Sequence, residues 1–392
     1  MKNQSLYVAK IAKNDEFYTQ YYDIEKEITA YLEFNPNVFK GKTILLPCDD
    51  PEWSNFTKYF AQNFEKFGLK ELISTSYAHN SKKYKYGYQP TLFETDSVKY
   101  DEKKTKTNGK IFTLSEDKTG DGKIDVNDLE WNYMEDDGDF RSNEVTELRN
   151  KSDVIITNPP FSLFREFLSW IMDVKKLFVI IGNKNCITYK EVFPLIKDNK
   201  MWVGSTPMSY DILFDVPKDF SKELIKNKKE SSGYKIVDGV VKGRSQAIWL
   251  ANIDHGRRHK PLDLMSMKDN LRFNKKLADK KTYDHYDNYD AIEVPFTELI
   301  PNDYEGVMGV PISFLDKYNP EQFEIIGTSD NGIIDDKYKI TQGLRKKFVD
   351  DYYKAGGKGS YKEGNPTAGI YINGIATMAY KRLFIKHRKV VV

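Results

Sequence analysis

The stretch Asp153-Val-Ile-Ile-Thr-Asn-Pro-Pro-Phe161 joins a short apolar run to a loop with two consecutive prolines. The apolar run is rich in β-branched residues and predicts a strand that is buried on both faces. Each proline fixes its own φ angle and disfavours the helical conformation in the residue before it. We therefore expect a buried strand over residues 153–157 that runs into the rigid loop Asn158-Pro159-Pro160-Phe161.

Strands and helices alternate on both sides of this stretch. Apolar runs predict strands over residues 42–47, 71–77 and 177–181. Apolar residues at helical spacing predict helices over residues 23–34, 53–67, 145–148 and 164–172. This alternation is typical of an α/β fold with a doubly wound parallel sheet. Such sheets bind ligands beyond the carboxyl ends of their strands, which is where the Asn158 loop falls.

The segments between and after these elements are more polar. We interpret residues 79–137, about 60 residues dominated by Lys, Asp, Gly and Asn, as an insertion. Residues 247–251 predict a further strand, whereas the Lys-rich piece 226–230 predicts an exposed hairpin or loop.

The C-terminal part of the chain has a different pattern. Prolines separate short mixed segments beyond Asp254, and the chain ends on the basic stretch 382–389, in which charged and apolar residues alternate. This alternation predicts a strand at the edge of a second domain with one face toward a polyanion. We expect a first domain at residues 1–255 and a mixed α+β region at residues 256–392.

The composition restricts the class of protein. The 60 Lys and Arg residues nearly cancel the 58 Asp and Glu residues, so the net charge of +2 does not by itself indicate a polyanionic partner. Cys48 and Cys186 lie far apart and give no disulfide framework, which favours a reducing compartment. Residues 1–20 lack the apolar core of a signal peptide, and no apolar run reaches the length of a membrane span. We expect a soluble cytoplasmic protein with no membrane partner.

The Asn158 loop has the residues needed to activate an amine. An exocyclic amine on an aromatic base is a poor nucleophile because its lone pair is delocalised. If Asn158 Oδ1 and the Pro159 carbonyl accept its two N–H groups, they favour a tetrahedral nitrogen whose lone pair faces a methyl donor. Phe161 offers a face for a base extruded from a duplex. The loop therefore predicts amine methylation; the alternative is a structural loop in which two prolines only interrupt the chain.

The chain resembles DNA adenine-N6 methyltransferases, and in particular the EcoRI-type modification methylases, over almost its whole length. The likeness rests on Lys13-Asn-Asp-Glu-Phe-Tyr-Thr-Gln20, Cys48-Asp-Asp-Pro51, Ser54-Asn-Phe56, Gly138-Asp-Phe-Arg141, Thr157-Asn-Pro-Pro-Phe-Ser-Leu-Phe-Arg165 and Asn252-Ile-Asp-His-Gly-Arg-Arg258. The resemblance implies a Rossmann-like S-adenosylmethionine-dependent methyltransferase domain followed by a target-recognition domain that binds double-stranded DNA. It further implies a monomer that modifies adenine, either beside a cognate restriction endonuclease without a stable complex or as an orphan methylase.

Two other functions stay open from the sequence. The same loop chemistry serves other nitrogens, such as guanine in RNA or glutamine in a protein. A DNA-binding protein with a relic methyltransferase fold is the third interpretation, because the loop after the first strand lacks the usual glycines.

The resemblance also assigns residues to the cofactor. Phe17, Tyr18 and Thr19 match an N-terminal element that lines the methionine end of S-adenosylmethionine; the alternative is a hydrophobic staple before the first helix. The loop Pro47-Cys48-Asp49-Asp50 follows the first strand, and one of its carboxylates is expected to accept from the amino group or ribose of the cofactor. Both aspartates could instead cap the next helix.

Further assignments fall in loops. Asp139 and Phe140 resemble a pair that contacts the cofactor adenine, against a solvated turn as the alternative. Arg257 and Arg258 suit phosphate contact, against a solvated basic turn. In the terminal basic strand, Lys386 and Arg388 are expected to contact DNA.

Residues 117–128 match a calcium-loop pattern. The match places candidate ligands at Asp117, Thr119, Asp121 and Asp125, with Asp128 at the last ligand position instead of the longer Glu. Asp-Gly turns in a polar insertion explain the same residues, and we predict no metal site.

Overall fold

A computed structural model describes most of the chain. The described residues are 18–49, 54–78, 95, 97–216, 218–228, 230, 233–244, 246–277, 280–329, 342–358, 369–378 and 381–388. Phe17 and Asp50, which the sequence assigned to the cofactor, lie outside these residues.

Helices and strands alternate along the first half of the chain. The α-helices are α1 (Tyr21–Phe34), α2 (Asn55–Gln62), α3 (Phe64–Phe67), α4 (Glu102–Thr107), α5 (Asn143–Lys151), α6 (Phe164–Met172), α7 (Phe193–Lys197), α8 (Lys218–Asn227), α9 (Met267–Phe273) and α10 (Gln342–Lys354). The strands are β1 (Tyr18–Thr19), β2 (Thr43–Leu46), β3 (Glu71–Ser76), β4 (Lys110–Leu114), β5 (Glu130–Tyr133), β6 (Val154–Thr157), β7 (Leu177–Asn183), β8 (Trp202–Val203), β9 (Leu213–Asp215), β10 (Tyr234–Val237), β11 (Val240–Arg244), β12 (Ala247–Ala251), β13 (Ile292–Glu293), β14 (Met308–Pro311), β15 (Phe323–Thr328), β16 (Gly369–Ile372), β17 (Ile375–Met378) and β18 (Arg382–His387).

The chain forms two compact units. Unit 1 comprises Met1–Lys184 and Val203–His255, and unit 2 comprises Asn185–Trp202 and Gly256–Val392. No helix in the part of the chain that the structure describes is long and apolar enough to cross a membrane.

An eight-stranded sheet with the order β5-β4-β3-β2-β6-β7-β12-β8 dominates unit 1. Its four middle strands β3, β2, β6 and β7 are parallel, whereas β12 pairs antiparallel with β7. The predicted α/β fold with a largely parallel, Rossmann-like sheet is confirmed. After β2 the chain adds β3 on one side and then returns to add β6 on the other. The carboxyl ends of β2 and β6 therefore form the topological switch point of the sheet.

Both faces of the sheet are covered. Ile44 of β2 and Val154 of β6 belong to a core that includes apolar residues of α1 and α2. Leu45 and Ile155, which point to the opposite face, are also fully buried. Burial on both faces explains why these strands read as continuous apolar runs.

The polar segment 79–137 is not simply an appendage. Its strands β4 and β5 extend the main sheet antiparallel from β3, so part of the predicted insertion belongs to the core of unit 1. In β4 the residues Lys110, Phe112 and Leu114 are buried, with Ile111 and Thr113 only partly exposed between them. The short length of this alternation, among polar neighbours, explains why the sequence did not identify it as part of the sheet.

Two local predictions differ from the structure. The helix expected over residues 53–67 is divided into α2 and α3 at Asn63, whose side-chain amide donates to the Tyr59 carbonyl at 2.8 Å. The piece 226–230, expected as a hairpin or loop, begins within α8. Polar residues at the end of an amphipathic helix explain this second error.

Unit 2 contains a four-stranded sheet with the order β13-β14-β18-β15. The basic strand β18 is thus an inner strand, and the prediction of an edge strand with one face toward a polyanion is wrong for most of its length. Arg382 is 8% exposed and forms two hydrogen bonds with the Glu293 carboxylate, at 3.0 and 2.5 Å. A buried arginine with a carboxylate partner satisfies its charge inside the fold.

Candidate active site

The site lies where β2 and β6 end side by side. The Pro47-Cys48-Asp49 loop leaves β2, and the Asn158-Pro159-Pro160-Phe161 loop leaves β6. The predicted position of the Asn158 loop, at the carboxyl edge of a parallel sheet, matches the described strands.

Asp49 joins the loops at this edge. Its Oδ2 accepts a hydrogen bond from Thr157 Oγ1 at 2.6 Å, and its Oδ1 accepts one from Ser54 Oγ at 2.9 Å. Ser54 in turn caps α2 by accepting from the Phe56 amide at 3.1 Å. Ser74 Oγ donates to the Asp49 carbonyl at 2.6 Å. Because Asp49 is only 7% exposed, these bonds fix the β2 loop, the end of β6 and the start of α2 in one arrangement.

In the structure Asp49 holds neighbouring loops together through hydrogen bonds, whereas the resemblance assigned it to the cofactor. A carboxylate can accept about four hydrogen bonds. The Ser54 and Thr157 hydroxyl groups each donate to one of the two Asp49 oxygens. The N-terminus of α2 is capped by Ser54, and Asp49 contributes to this cap only by accepting a hydrogen bond from the Ser54 hydroxyl.

Cys48 is half-buried beside these carboxylates. Burial, and next the charges of Asp49 and Asp139, raise the pKa of its thiol, while a hydrogen bond with Thr157 lowers it. The thiol is therefore protonated at neutral pH and is not an activated nucleophile.

The Asp139 loop is held against the end of β3 by two glycines. Gly138 has a φ of 81°, and a Cβ there would lie 2.1 Å from the Ser76 carbonyl oxygen and 3.1 Å from the Gly109 Cα. A Cβ on Gly109 would in turn lie 2.6 Å from the Gly138 Cα. Only glycine allows this approach. The Gly138 segment therefore packs directly on the backbone of Ser76 and Gly109.

Asp139 is paired with a neighbouring arginine. Arg141 donates to it through Nε at 2.9 Å and through Nη2 at 2.7 Å, and reaches Glu166 through Nη1 at 2.8 Å. Burial alone would raise the pKa of Asp139, but the hydrogen bonds and charge of Arg141 outweigh it and lower that pKa. Asp139 is therefore an ionised acceptor at neutral pH.

Phe140 faces the protein interior. It is 4% exposed, and its ring packs edge-on against Phe167 and Trp170 of α6 with centroid distances of 5.1 and 5.6 Å. This packing anchors the loop that carries Asp139. Of the two residues assigned to the cofactor adenine, Asp139 is the one that the structure leaves more accessible.

The Asn158 loop leads directly into a helix. Asn158, Pro160 and Phe161 are half-buried and Pro159 is buried. A 3₁₀ turn over Phe161–Leu163 follows and continues into α6, and the Leu163 amide donates to the Pro160 carbonyl at 2.9 Å. Phe161 packs partly against the core of unit 1. The loop is thus fixed at both ends, by Thr157 before it and by α6 after it.

The N-terminal strand β1 is attached to α2. Tyr18 and Thr19 pair with β9, and Asn55 Nδ2 at the start of α2 donates to the Thr19 carbonyl at 2.8 Å. The Thr19 hydroxyl is buried, with no hydrogen-bond partner among the described residues. A buried hydroxyl without a partner is costly, and a bound ligand would satisfy it.

No role was predicted from the sequence for Thr157, Ser54, Ser74 and Asn55. Hydroxyl residues at the end of the buried strand β3 were a usable signal, since Ser74 and Thr75 are buried and both donate to the β2 loop. The partners of Thr157 and Asn55 lie too far away in the sequence for such a signal.

The residues predicted to contact DNA lie in unit 2 and differ in exposure. Arg258 is 5% exposed and its guanidinium lies 3.7 Å from the centroid of the Trp202 ring, whereas Arg257 is half-buried. Arg388 donates through Nε to the carbonyls of Pro320 and Phe323, and Lys386 is partly exposed. Arg388 is thus the most exposed of the four candidates, Arg257 and Lys386 are partly exposed, and Arg258 is buried.

The calcium-like loop is organised by its own backbone. Asp128 accepts from the amides of Lys118, Thr119 and Asp125, each at 2.9 Å, and these bonds lower the pKa of Asp128 to about 2. Asp117 accepts from the amides of Gly120 and Gly122. Among the described residues, no group of three or more His, Cys, Asp or Glu is placed to hold a metal ion.

The substitution Gly138→Ala is expected to lower stability and cofactor binding more than alanine does at another glycine with positive φ. The new Cβ would overlap the Ser76 carbonyl, so the loop with Asp139 must move, at a cost of about 1–3 kcal/mol beyond the φ strain. Gly120→Ala is a matched control, because Gly120 has a φ of 75° and open space around it. Calorimetry should give a Tm several degrees lower for Gly138→Ala than for Gly120→Ala, with weaker cofactor binding. Equal effects of the two changes would contradict this account.

A parallel sheet with a rigid Asn-Pro-Pro-Phe loop at its switch point is the arrangement of an amine-directed methyltransferase. Comparison with known proteins agrees. Residues 5–388 match the family model described as "Adenine-specific methyltransferase EcoRI". No solved structure is significantly similar to the chain.

Three curated relatives are similar to the chain. The Type II methyltransferase M.EcoRI of Escherichia coli is 43% identical over 324 residues, which cover 83% of this chain and 89% of the relative. M.MpnI of Mycoplasma pneumoniae is 31% identical, covering 81% of this chain and 83% of the relative. M.MgeORF184P of Mycoplasma genitalium is 30% identical, covering 81% and 84%. The chain belongs to the EcoRI family of adenine-specific methyltransferases, which confirms the predicted class of enzyme.

Proposed function

We propose that the protein transfers a methyl group from S-adenosylmethionine to N6 of an adenine that is flipped out of duplex DNA. The observation that carries this proposal is the Asn158-Pro159-Pro160-Phe161 loop, fixed beside the Asp49 loop at the switch point of the sheet. Family membership supports adenine as the target.

Three residues of the loop do the chemistry that the sequence predicted. Asn158 Oδ1 and the Pro159 carbonyl accept the two N–H groups of the adenine amine, which directs the nitrogen lone pair away from the ring. Phe161 stacks on the extruded base and replaces part of the stacking lost from the duplex. The rigid prolines hold both acceptors in place before substrate binds, so little reorganisation is needed during the reaction.

The residues around the loop fit the methyl donor. When bound, S-adenosylmethionine would supply an electrophilic methyl group: the bond from its sulfur to the methyl carbon would break as the N6–methyl bond forms, with S-adenosylhomocysteine as the leaving group and the N6 proton lost to solvent. The buried Thr19 hydroxyl offers a polar contact to the donor, and Tyr18 and Phe17 precede it in the same segment. Ionised Asp139 accepts from an amino or hydroxyl group, and Phe140 holds its loop in place. The β2 loop with Pro47, Cys48, Asp49 and Asp50 completes the proposed cofactor site.

Unit 1 is proposed as the catalytic domain, and residues 256–392 as the region that recognises the target sequence. Arg257, Lys386 and Arg388 are candidates for phosphate contact, and the buried Arg258, stacked on Trp202, supports their surroundings. We further propose that the enzyme acts in the cytoplasm as a monomer, as the modification arm of a restriction–modification system whose endonuclease forms no stable complex with it.

The test is methyl transfer to defined substrates. The protein is incubated with methyl-labelled S-adenosylmethionine and long duplex DNA, RNA or protein, and the products are digested and separated. Label in N6-methyldeoxyadenosine is the expected result. Label only in guanine of RNA or in glutamine, or DNA binding without any transfer, would replace the proposal by one of the two alternatives.

A further inference from the structure

Unit 2 carries a positively charged surface around α9. Lys268 and Arg272 lie one turn apart on the same face of this helix, and Lys275 and Lys281 follow it. All four side chains are exposed, and none forms an ion pair with any residue in the described part of the chain. These charges are therefore available to an outside partner.

Two exposed aromatic rings accompany these charges. Phe273 is 63% exposed, and the Arg272 guanidinium lies 5.0 Å from its ring centroid. Phe296 is 42% exposed, and Lys276 Nζ lies 3.6 Å from its centroid. Single exposed apolar side chains are common, but aromatic rings placed among cations are the combination that binds the bases and phosphates of nucleic acid.

Buried hydrogen bonds and one ion pair fix the segments that carry this surface. Asn270 of α9 is fully buried and donates to the Leu299 carbonyl at 3.4 Å, and Tyr283 donates to the same carbonyl at 2.7 Å. Lys276 pairs with Glu298 at 2.6 Å, which ties the segment after α9 to the segment after Phe296. The two rings and the nearby cations thus belong to one supported surface.

We propose that this Phe273 surface, formed by Lys268, Arg272, Phe273, Lys275, Lys281 and Phe296, contacts the DNA duplex. Lysine and arginine bind phosphates along the backbone, and phenylalanine packs on a sugar or base or enters a base step. A protein partner would need carboxylates opposite four cations, whereas DNA offers a phosphate every few ångströms. The proposal rests on DNA being the substrate, and it adds residues that neither the motifs nor the relatives assign.

The charge part of the proposal is tested through salt dependence. Each lost phosphate contact lowers the slope of log affinity against log salt by about 0.9. Arg272→Gln with Lys275→Gln should therefore lower the slope for duplex binding by about 2. Lys222→Gln with Lys226→Gln is the matched control, because it removes the same charge from exposed positions of α8 in unit 1. Its slope should stay that of the wild type.

The aromatic part has a different signature. Phe273→Ala removes no charge, so the salt slope should not change, while affinity falls by about 5- to 100-fold if the ring stacks on a base. Ile225→Ala on α8 is the control, since Ile225 is 49% exposed and also apolar. In steady state, the surface variants should raise KM for DNA and keep kcat at saturating DNA.

Failure of this proposal can be told apart from failure of the proposed function. If the wild type methylates adenine in DNA but the Phe273 surface variants bind and turn over as it does, only the surface assignment is overturned. Equal losses in the α8 controls would overturn it as well, because the effects would then not be specific to the Phe273 surface. If the wild type neither binds nor methylates DNA, the function itself is overturned.

Discussion

Alanine at position 158 is expected to lower the turnover number for adenine methylation by about 100- to 1,000-fold, the usual cost of removing one preorganised polar group at a reacting centre. The half-buried Asn158 side chain is the proposed acceptor for one N–H of the amine, and alanine offers nothing in its place. Pro159 and Pro160 fix the backbone independently of that side chain, so the loop should keep its course. Single-turnover methylation at saturating cofactor and DNA measures the effect.

Two controls make this result specific. Cofactor affinity of Asn158→Ala should stay within about twofold of the wild type, because the substitution leaves the Asp49 and Asp139 loops intact. Asn37→Ala changes an exposed asparagine in the turn before β2 and should alter neither quantity. A turnover number of Asn158→Ala within tenfold of the wild type would contradict the role given to this side chain.

Valine at position 157 is expected to weaken both cofactor binding and turnover, although Thr157 is fully buried and touches neither substrate in the proposed mechanism. The change removes the hydroxyl that donates to Asp49 Oδ2 at 2.6 Å. Losing a donor to a buried carboxylate costs about 1–3 kcal/mol, and each 1.4 kcal/mol is a factor of ten in affinity. We therefore expect an increase of about 5- to 100-fold in the cofactor Kd, a similar loss in kcat, and a Tm lower by several degrees.

Rescue distinguishes the hydrogen bond from simple packing. Thr157→Ser keeps the hydroxyl and loses only a methyl group, so it should recover most of the cofactor affinity and turnover. Thr105→Val removes another buried hydroxyl, one bonded to Tyr133 at 2.6 Å in the β4–β5 region, and should lower Tm without changing cofactor affinity. If serine fails to rescue, or if Thr105→Val has the same effect on cofactor binding, Thr157 does not position the site.

Local patterns predicted much of unit 1. The helix over 164–172 and the strand over 247–251 have the predicted bounds, because apolar spacing and length define such elements within a short window. The Asn158 loop was equally accessible, since its rigidity comes from two adjacent prolines. These features need no information from distant parts of the chain.

The contacts that could not be predicted join residues that lie far apart in the sequence. Arg382 looked like a surface cation of an alternating strand, but Glu293, 89 positions earlier, pairs with it inside unit 2. The sequence likewise did not show that Phe167 and Trp170 pack on the Phe140 ring, whose contact with the cofactor stays a prediction. A charged or aromatic residue looks the same in the sequence whether it packs inside the fold or contacts a ligand. Only the neighbours that the fold brings to it distinguish the two roles.

The bond between Thr157 and Asp49 spans 108 positions of sequence. A nascent chain that ends before β6 has the β2 loop but not the Thr157 hydroxyl that donates to Asp49 Oδ2, and it lacks two of the four parallel strands of its sheet. Closing so long a loop is entropically costly and must be offset by the strands that pair across it, so this step belongs late in folding and slows it. During synthesis, the ability to bind the cofactor should consequently appear abruptly once β6 and β7 have been added, and fragments truncated before β6 should show no partial affinity.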